Sequence, residues 1–194
     1  MIGHSWHKGC PLGFDHLAYL QLSYWGFDNQ PHQGELIVYR PIAEETVDIF
    51  KHLFTIHFQI ERMQLPEKLP KGMSNSDADN TSGFYCRTDD QNPTQLSKHS
   101  YGLAIDINDL YNPAVEGNKV DPAAGRKYLN RNLNHEGMIK VGEEPFLIFT
   151  HHGWYWGGFY KEVDYQHFEK LYIKHYAVNE MEYLTDENQV TYEN

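Results

Sequence analysis

Bulky and aromatic residues fill Leu17–Trp25, turn-forming residues occupy 26–34, and Glu35-Leu36-Ile37-Val38-Tyr39 returns as a run of β-formers. This pattern predicts two strands joined by a loop. Beyond Pro41, the apolar positions Val47, Phe50, Leu53 and Phe54 recur at helical spacing. They follow the acidic start Glu44-Glu45, where carboxylates suit the positive end of the helix dipole, and predict a helix over 42–56. Residues 66–94 are polar and rich in Ser, Asp, Asn and Gly around the short run Gly83-Phe84-Tyr85-Cys86-Arg87, which reads as loop enclosing one strand.

From Gly102 to Asn108 small or polar residues alternate with apolar ones. A strand there puts Ala104 and Asp106 on one face and Leu103, Ile105 and Ile107 on the other. Asp121-Pro122 suits the cap and first turn of a short helix to about Leu129, and Pro145 opens another through Phe146, Ile148 and Phe149 to Gly153. Trp154-Tyr155-Trp156-Gly157-Gly158-Phe159 is a place where the backbone bends beside flat side chains. After Tyr176 the chain is acidic with little periodicity. With no internal repeat or linker, the pattern divides into one domain, 1–175, and a loosely ordered tail, 176–194.

Composition narrows the class. The 194 residues are 40% apolar and 14% aromatic, enough for one core. A net charge of −11, without a long Lys/Arg cluster, argues against nucleic acid or an anionic membrane as partner. No stretch has the length of a transmembrane segment, and Met1-Ile2-Gly3-His4-Ser5-Trp6 lacks the regions of a signal peptide. Cys10 and Cys86 are too few for a disulfide framework, and either one bridge or two buried thiols fits them.

The chemistry concentrates in Ser97-Lys98-His99-Ser100-Tyr101-Gly102-Leu103-Ala104-Ile105-Asp106 and in Asp164-Tyr165-Gln166-His167-Phe168-Glu169. His99, Asp106 and His167 offer the two nitrogens and one oxygen of a catalytic zinc with a position open for water. His99 and Asp106 are an odd number of positions apart, so a continuous strand would point them to opposite faces. A bend is required, and Gly102 can supply it.

Asp164, three residues before His167, is spaced to reach the metal-bound water as general base; Glu162 and Glu169 are rivals by chemistry alone. Arg87 is a candidate to stabilise a developing oxyanion, a role worth about 10² to 10³ in rate. Ser97 and Tyr101 are candidate hydrogen-bonding partners of a substrate. The pairs His4/His7, His52/His57 and His151/His152 lack a ligand-plus-base arrangement and read as structural, with His152 the one expected to line the pocket.

These residues resemble the zinc D-alanyl-D-alanine carboxypeptidase family, which also contains L-alanyl-D-glutamate endopeptidases and D-Ala-D-Ala dipeptidases. The family's Ser-x-His-x-x-Gly-x-Ala-x-Asp stands as Ser97, His99, Gly102, Ala104 and Asp106, and its Asp-x-x-His-Phe-Glu as Asp164, His167, Phe168 and Glu169. Residues 80–87, the Gly26-Phe27-Asp28 and Gly34-Glu35-Leu36 pieces, and Gly153-Trp154 with Trp156-Gly157-Gly158 are also similar to it. The resemblance spans about Trp6 to Leu171.

It implies one zinc ion on His99, Asp106 and His167, Asp164 as base and Arg87 as transition-state stabiliser; Trp156 joins Ser97, Tyr101 and His152 as a candidate substrate-binding residue. The implied fold is α+β of the hedgehog/DD-peptidase type, a small central antiparallel sheet flanked by helices. The implied substrate is a peptidoglycan stem peptide, with Arg87 and zinc as the positive charge that holds its carboxylates, and the implied location is extracytoplasmic. Asp164, where the dipeptidases have Glu, favours the endopeptidase-like branch. Phe159 stands where family members often have Trp, and the tail beyond Leu171 has no counterpart. Two other readings fit the ligand set: a non-catalytic zinc-containing binding module of hedgehog-like fold, and a non-haem iron oxygenase. The presence of both Asp164 and Arg87 argues for hydrolysis.

Overall fold

The computed structural model describes residues 1–90 and 92–170. The expected tail, 176–194, lies outside the described residues. Strands β1 (Leu17–Trp25) and β2 (Pro31–Tyr39) form an antiparallel hairpin, in register from Leu17 opposite Tyr39 to Trp25 opposite Pro31. Its turn is shorter than the predicted loop, because the Gly26 amide donates to the Gln30 carbonyl and Pro31 already lies in β2.

Helix α1 (Ala43–Thr55) follows as predicted, but its core face carries Thr46, Ile49, Phe50 and Leu53, while Val47 and Phe54 are half-buried. Thr46 is tolerated there because its hydroxyl donates to the Ile42 carbonyl 2.8 Å away.

The segment predicted as a strand at residues 83–87 is extended but joins no ladder. Its amides are distributed among four partners, with Phe84 donating to Ile37, Tyr85 to His99, Cys86 to Ser5 and Arg87 to the Ser100 hydroxyl. A disulfide between Cys10 and Cys86 ties the N-terminal segment to it.

β3 (Ala104–Asp106), β6 (Trp154–Trp156) and β7 (His167–Lys170) form a three-stranded antiparallel sheet with β7 in the middle. β4 (Ala114–Glu116) and β5 (Lys119–Asp121) form a separate hairpin. The fold is therefore mixed α and β with small antiparallel sheets, and the strands divide among three sheets instead of joining one central sheet. The helix expected after Asp121-Pro122 is a 3-10 helix, Ala123–Tyr128, with Pro122 at its cap.

Helix α2 (Glu144–His151) packs on the three-stranded sheet, stacking Phe149 on Phe168 of β7 with ring centroids 4.0 Å apart. One hydrophobic cluster links the hairpin, both helices and the three-stranded sheet. Burial of each large side chain in it, such as Phe50, Ile105, Phe149 and Phe168, contributes about 1.5–3 kcal/mol. Among the described residues no helix is long and apolar enough to cross a membrane.

Candidate metal centre

The site is assembled where β3 meets β7. Ser97 caps the 3-10 helix Lys98–Tyr101, its hydroxyl accepting from the His99 amide, and Gly102 ends that helix at φ 61°. This is the bend that the odd spacing of His99 and Asp106 requires. A side chain is excluded at Gly102 on two counts, since a Cβ would also stand 2.5 Å from the Tyr39 amide nitrogen of β2.

Asp106 and His167 then sit directly opposite each other in the β3–β7 ladder, with Ile105 and Phe168 turned to the core on the other face. His99 Nε2 lies 3.0 Å from Asp106 Oδ2 and 3.3 Å from His167 Nδ1, and His167 Nδ1 lies 2.9 Å from Asp106 Oδ1.

These separations test the fit to a metal. Bonds of about 2.0–2.1 Å in a tetrahedral site hold neighbouring ligand atoms about 3.3 Å apart, close to what the three side chains already show. The outer contacts also suit it. His99 Nδ1 is 2.6 Å from the Gly83 carbonyl, so that nitrogen carries the hydrogen and Nε2 presents its lone pair inward. His167 Nε2 faces Glu169 Oε2 at 3.7 Å, leaving Nδ1 for the centre.

The electrostatics ask for positive charge. Burial opposes ionisation of Asp106, yet His99 and His167 hold its carboxyl well below the usual range. Burial likewise opposes charge on His167, but Asp106 and Glu169 outweigh it and raise the ring to about 10. A cation at the centre satisfies the same demand. The buried His99, Asp106 and His167 can thus bind a metal. The other cluster of this kind among the described residues, His7 with Cys10 and Cys86, has both sulfurs engaged in the disulfide.

A cavity of about 560 Å³ opens over the three side chains and is walled in part by Asp164, Arg87, Ser97, Lys98 and Tyr160. Asp164 is held by the β4 strand, through a bridge to Ala114, and by Gly157, whose carbonyl accepts from the Asp164 amide. Asp164 Oδ1 is buried with no hydrogen-bond partner, and burial, with the His167 charge opposing, pushes the carboxyl up to about 7.

The Arg87 guanidinium donates to Asp90 at 2.7 Å and to the Thr88 carbonyl at the cavity rim. Glu169 lines the cavity too; burial raises its pKa, but the His167 hydrogen bond prevails and lowers it. Tyr160 faces Glu169, and burial and that carboxylate keep the phenol protonated far above its ordinary range. The walls carry more carboxylates than lysine and arginine side chains, and Arg87 is among the few basic groups on them.

Three expected substrate residues stand elsewhere. Tyr101 packs against the hydrophobic core. The Trp156 indole is buried among Phe146, Phe159 and Phe168, and its Nε1 donates to the Tyr165 carbonyl at 2.8 Å. His152 offers its carbonyl to Lys170 Nζ, away from the cavity. Proximity to a motif in the chain misled here, because the even alternation of β6 turns Trp154 and Trp156 inward together. Glu162, a rival base, does not line the cavity. His4, read as structural, does, and so do Tyr160 and Asp109, for which the sequence carries no spacing signal.

A buried pair of histidines and a carboxylate that can hold a metal, with the unpartnered Asp164 Oδ1 beside them in a cavity, are groups of the kind that metal-assisted hydrolysis uses. Residues 91–170 match the family model described as D-alanyl-D-alanine carboxypeptidase, which supports a peptidase. The matched stretch contains His99, Asp106, Asp164 and His167, and Arg87 precedes it. Neither the curated proteins nor the solved structures compared with this chain gave a match.

Proposed function

We propose that this chain is a zinc-dependent metallopeptidase that hydrolyses peptide bonds in peptidoglycan stem peptides, of the D-Ala-D-Ala carboxypeptidase or L-Ala-D-Glu endopeptidase type. The observation that carries it is the convergence of His99, Asp106 and His167 on one point beneath a cavity that Asp164 also lines. His99, Asp106 and His167 would hold the zinc, which when bound would supply an activated water with a pKa of about 7 and polarise the substrate carbonyl.

Asp164 Oδ1, buried and free of protein partners, would take a proton from the attacking water and return it to the leaving amine. A carboxyl raised to about 7 by burial is matched to both halves of that transfer near neutral pH. Arg87 turns its guanidinium from the exposed Asp90 toward the developing oxyanion. His99 is kept in one tautomer by the Gly83 carbonyl, and Glu169 orients His167. In this reading the domain covers residues 1–175 in a hedgehog/DD-peptidase type of fold, and the protein works outside the cytoplasm, where its substrate lies.

The test is digestion of purified peptidoglycan by the zinc-loaded protein, with and without chelator, read by mass spectrometry. Chelator-sensitive release of terminal D-Ala identifies a carboxypeptidase, and a cut between L-Ala and D-Glu an endopeptidase. Asp164→Ala is expected to keep zinc and lose turnover by at least about 10²-fold. Full activity in that variant would remove Asp164 from the role of base, and no cleavage by the zinc-loaded wild type would sink the peptidase.

A further inference from the structure

Three buried acceptor atoms with no hydrogen-bond partner sit on residues that wall the cavity: Asp164 Oδ1, Asp109 Oδ1 and Gln166 Oε1. The mechanism above uses the first and leaves the other two without work. Asp109 is 1% exposed and Gln166 6%, so water does not freely compensate either atom. A buried acceptor without a donor costs about 1–3 kcal/mol, more when charged, and such atoms cluster where a ligand supplies what the protein withholds.

All three are acceptors, so the missing group is a donor. Burial and the neighbouring Asp106, Asp79 and Asp164 carboxylates, opposed by a hydrogen bond with Ser76, hold the Asp109 carboxyl well above the usual range, and a positively charged donor placed there would relieve that crowding of negative charge. A metal ion does not fit, since among the described residues no third ligand joins Asp109 in a metal-binding group. An ammonium group does fit, because it brings several N–H donors and needs no fixed coordination number.

We propose that Asp109 and Gln166 form a subsite for a free amino group of the substrate, next to the bond that is cut. The inference rests on the peptidase reading and deepens it. Both residues wall the cavity that also contains His99, Asp106 and His167, so the amine belongs to the residue at the scissile bond or to its neighbour. Two parts of a stem peptide carry such a group: a free N-terminus and the side chain of a diamino acid.

The probe is the synthetic pentapeptide L-Ala–D-Glu–L-Lys–D-Ala–D-Ala in three forms: unmodified, acetylated on the lysine side chain, and acetylated at the N-terminus. With zinc-loaded wild type, acetylating one of the two amines is expected to lower kcat/KM at least about tenfold, mainly through KM. The form that suffers identifies which amine is bound. Asp109→Asn, which keeps the shape, is expected to bring that ratio close to one. Gln166→Leu is expected to reduce it independently, and serves if Asp109→Asn does not fold.

A merely structural role for either residue changes stability and leaves the ratio intact. Equal hydrolysis of all three forms by wild type, or a ratio unchanged in both variants, overturns the subsite. If wild type cleaves none of the peptides, the peptidase reading fails, and calorimetric titration of the same three peptides tests the subsite separately. Tighter binding of a free-amine form that is lost in Asp109→Asn then supports it; equal binding or none overturns it.

Discussion

Asp106 and His167 face each other across the β3–β7 ladder, with Oδ1 and Nδ1 2.9 Å apart and their neighbours Ile105 and Phe168 fully buried on the opposite face. The period of two in a strand makes this one decision. The same register that drives Ile105 and Phe168 into the core delivers the two polar side chains to the cavity floor. His99 arrives from the 3-10 helix before β3, and its position depends on the turn at Gly102.

Removal of one member of this group leaves the others buried without their counter-charge. Saturating zinc is expected to raise the melting temperature of wild type, since at about 1,000 times Kd a ligand adds about 4 kcal/mol. His167→Ala is expected to abolish that rise and to lose bound zinc on dialysis. Calorimetric melts with and without zinc, together with metal analysis, check it; an equal zinc-induced rise in the variant would exclude His167 from the centre.

Gly157 sets the distance between the candidate base and the ligands. A Cβ at this position would stand 2.6 Å from the Asp164 carbonyl oxygen and 3.1 Å from the Cβ atoms of both Asp164 and His167. Gly157→Ala therefore forces the Asp164 turn outward, at a cost of about 1–3 kcal/mol. The expected result is a lower melting temperature and, at temperatures where the variant is folded, a kcat reduced at least about tenfold. Unchanged kcat in a folded variant would mean that the turn relaxes without moving Asp164.

Much of this architecture was legible in the chain. The bulky and aromatic run Leu17–Trp25, the helical spacing after Pro41, and the odd separation of His99 and Asp106 with a glycine between them each led to the observed element or bend. Such signals are local, set by side-chain period and by the φ that only some residues tolerate. The failures were non-local. Residues 83–87 look like a strand, but strand identity needs a partner, and their amides are shared among Ile37, His99, Ser5 and Ser100. Asp109 and Gln166 carry no motif, and only the packed structure shows that their oxygens lack donors. The pairing of Cys10 with Cys86 was one of two open possibilities for the same reason.

The disulfide closes a loop with a sequence separation of 76 between segments that also meet through the hydrogen bond from the Cys86 amide to the Ser5 carbonyl and an edge-on contact of His4 with Tyr85. Constraint of the unfolded chain by a loop of that length is worth about 4 kcal/mol. Reduction, or the double substitution Cys10→Ser with Cys86→Ser, is expected to lower the melting temperature by roughly 10 °C. Scanning calorimetry with and without reductant measures it, and a shift of under about 2 °C would show that the N-terminal segment is held without the bond.

Asp79 gives the stability a pH dependence that can be isolated. It is 5% exposed; Oδ1 accepts from the Leu110 amide at 2.7 Å, while Oδ2 is buried without a partner. Burial, opposed by that hydrogen bond, raises its pKa from 3.8 to about 6. A carboxyl raised in the folded state favours folding when it is protonated. Its contribution is fully present below the unfolded value of 3.8 and is lost as pH rises through about 6. A shift of this size corresponds to a loss of up to roughly 3 kcal/mol by neutral pH. Asp79→Asn keeps an acceptor for Leu110 and removes the titration. The stability of the variant relative to wild type is therefore expected to improve by up to roughly 3 kcal/mol between pH 4 and pH 7, as measured by denaturant unfolding across that range. A relative stability that stays flat with pH would mean that Asp79 ionises in the folded protein as it does in the unfolded chain.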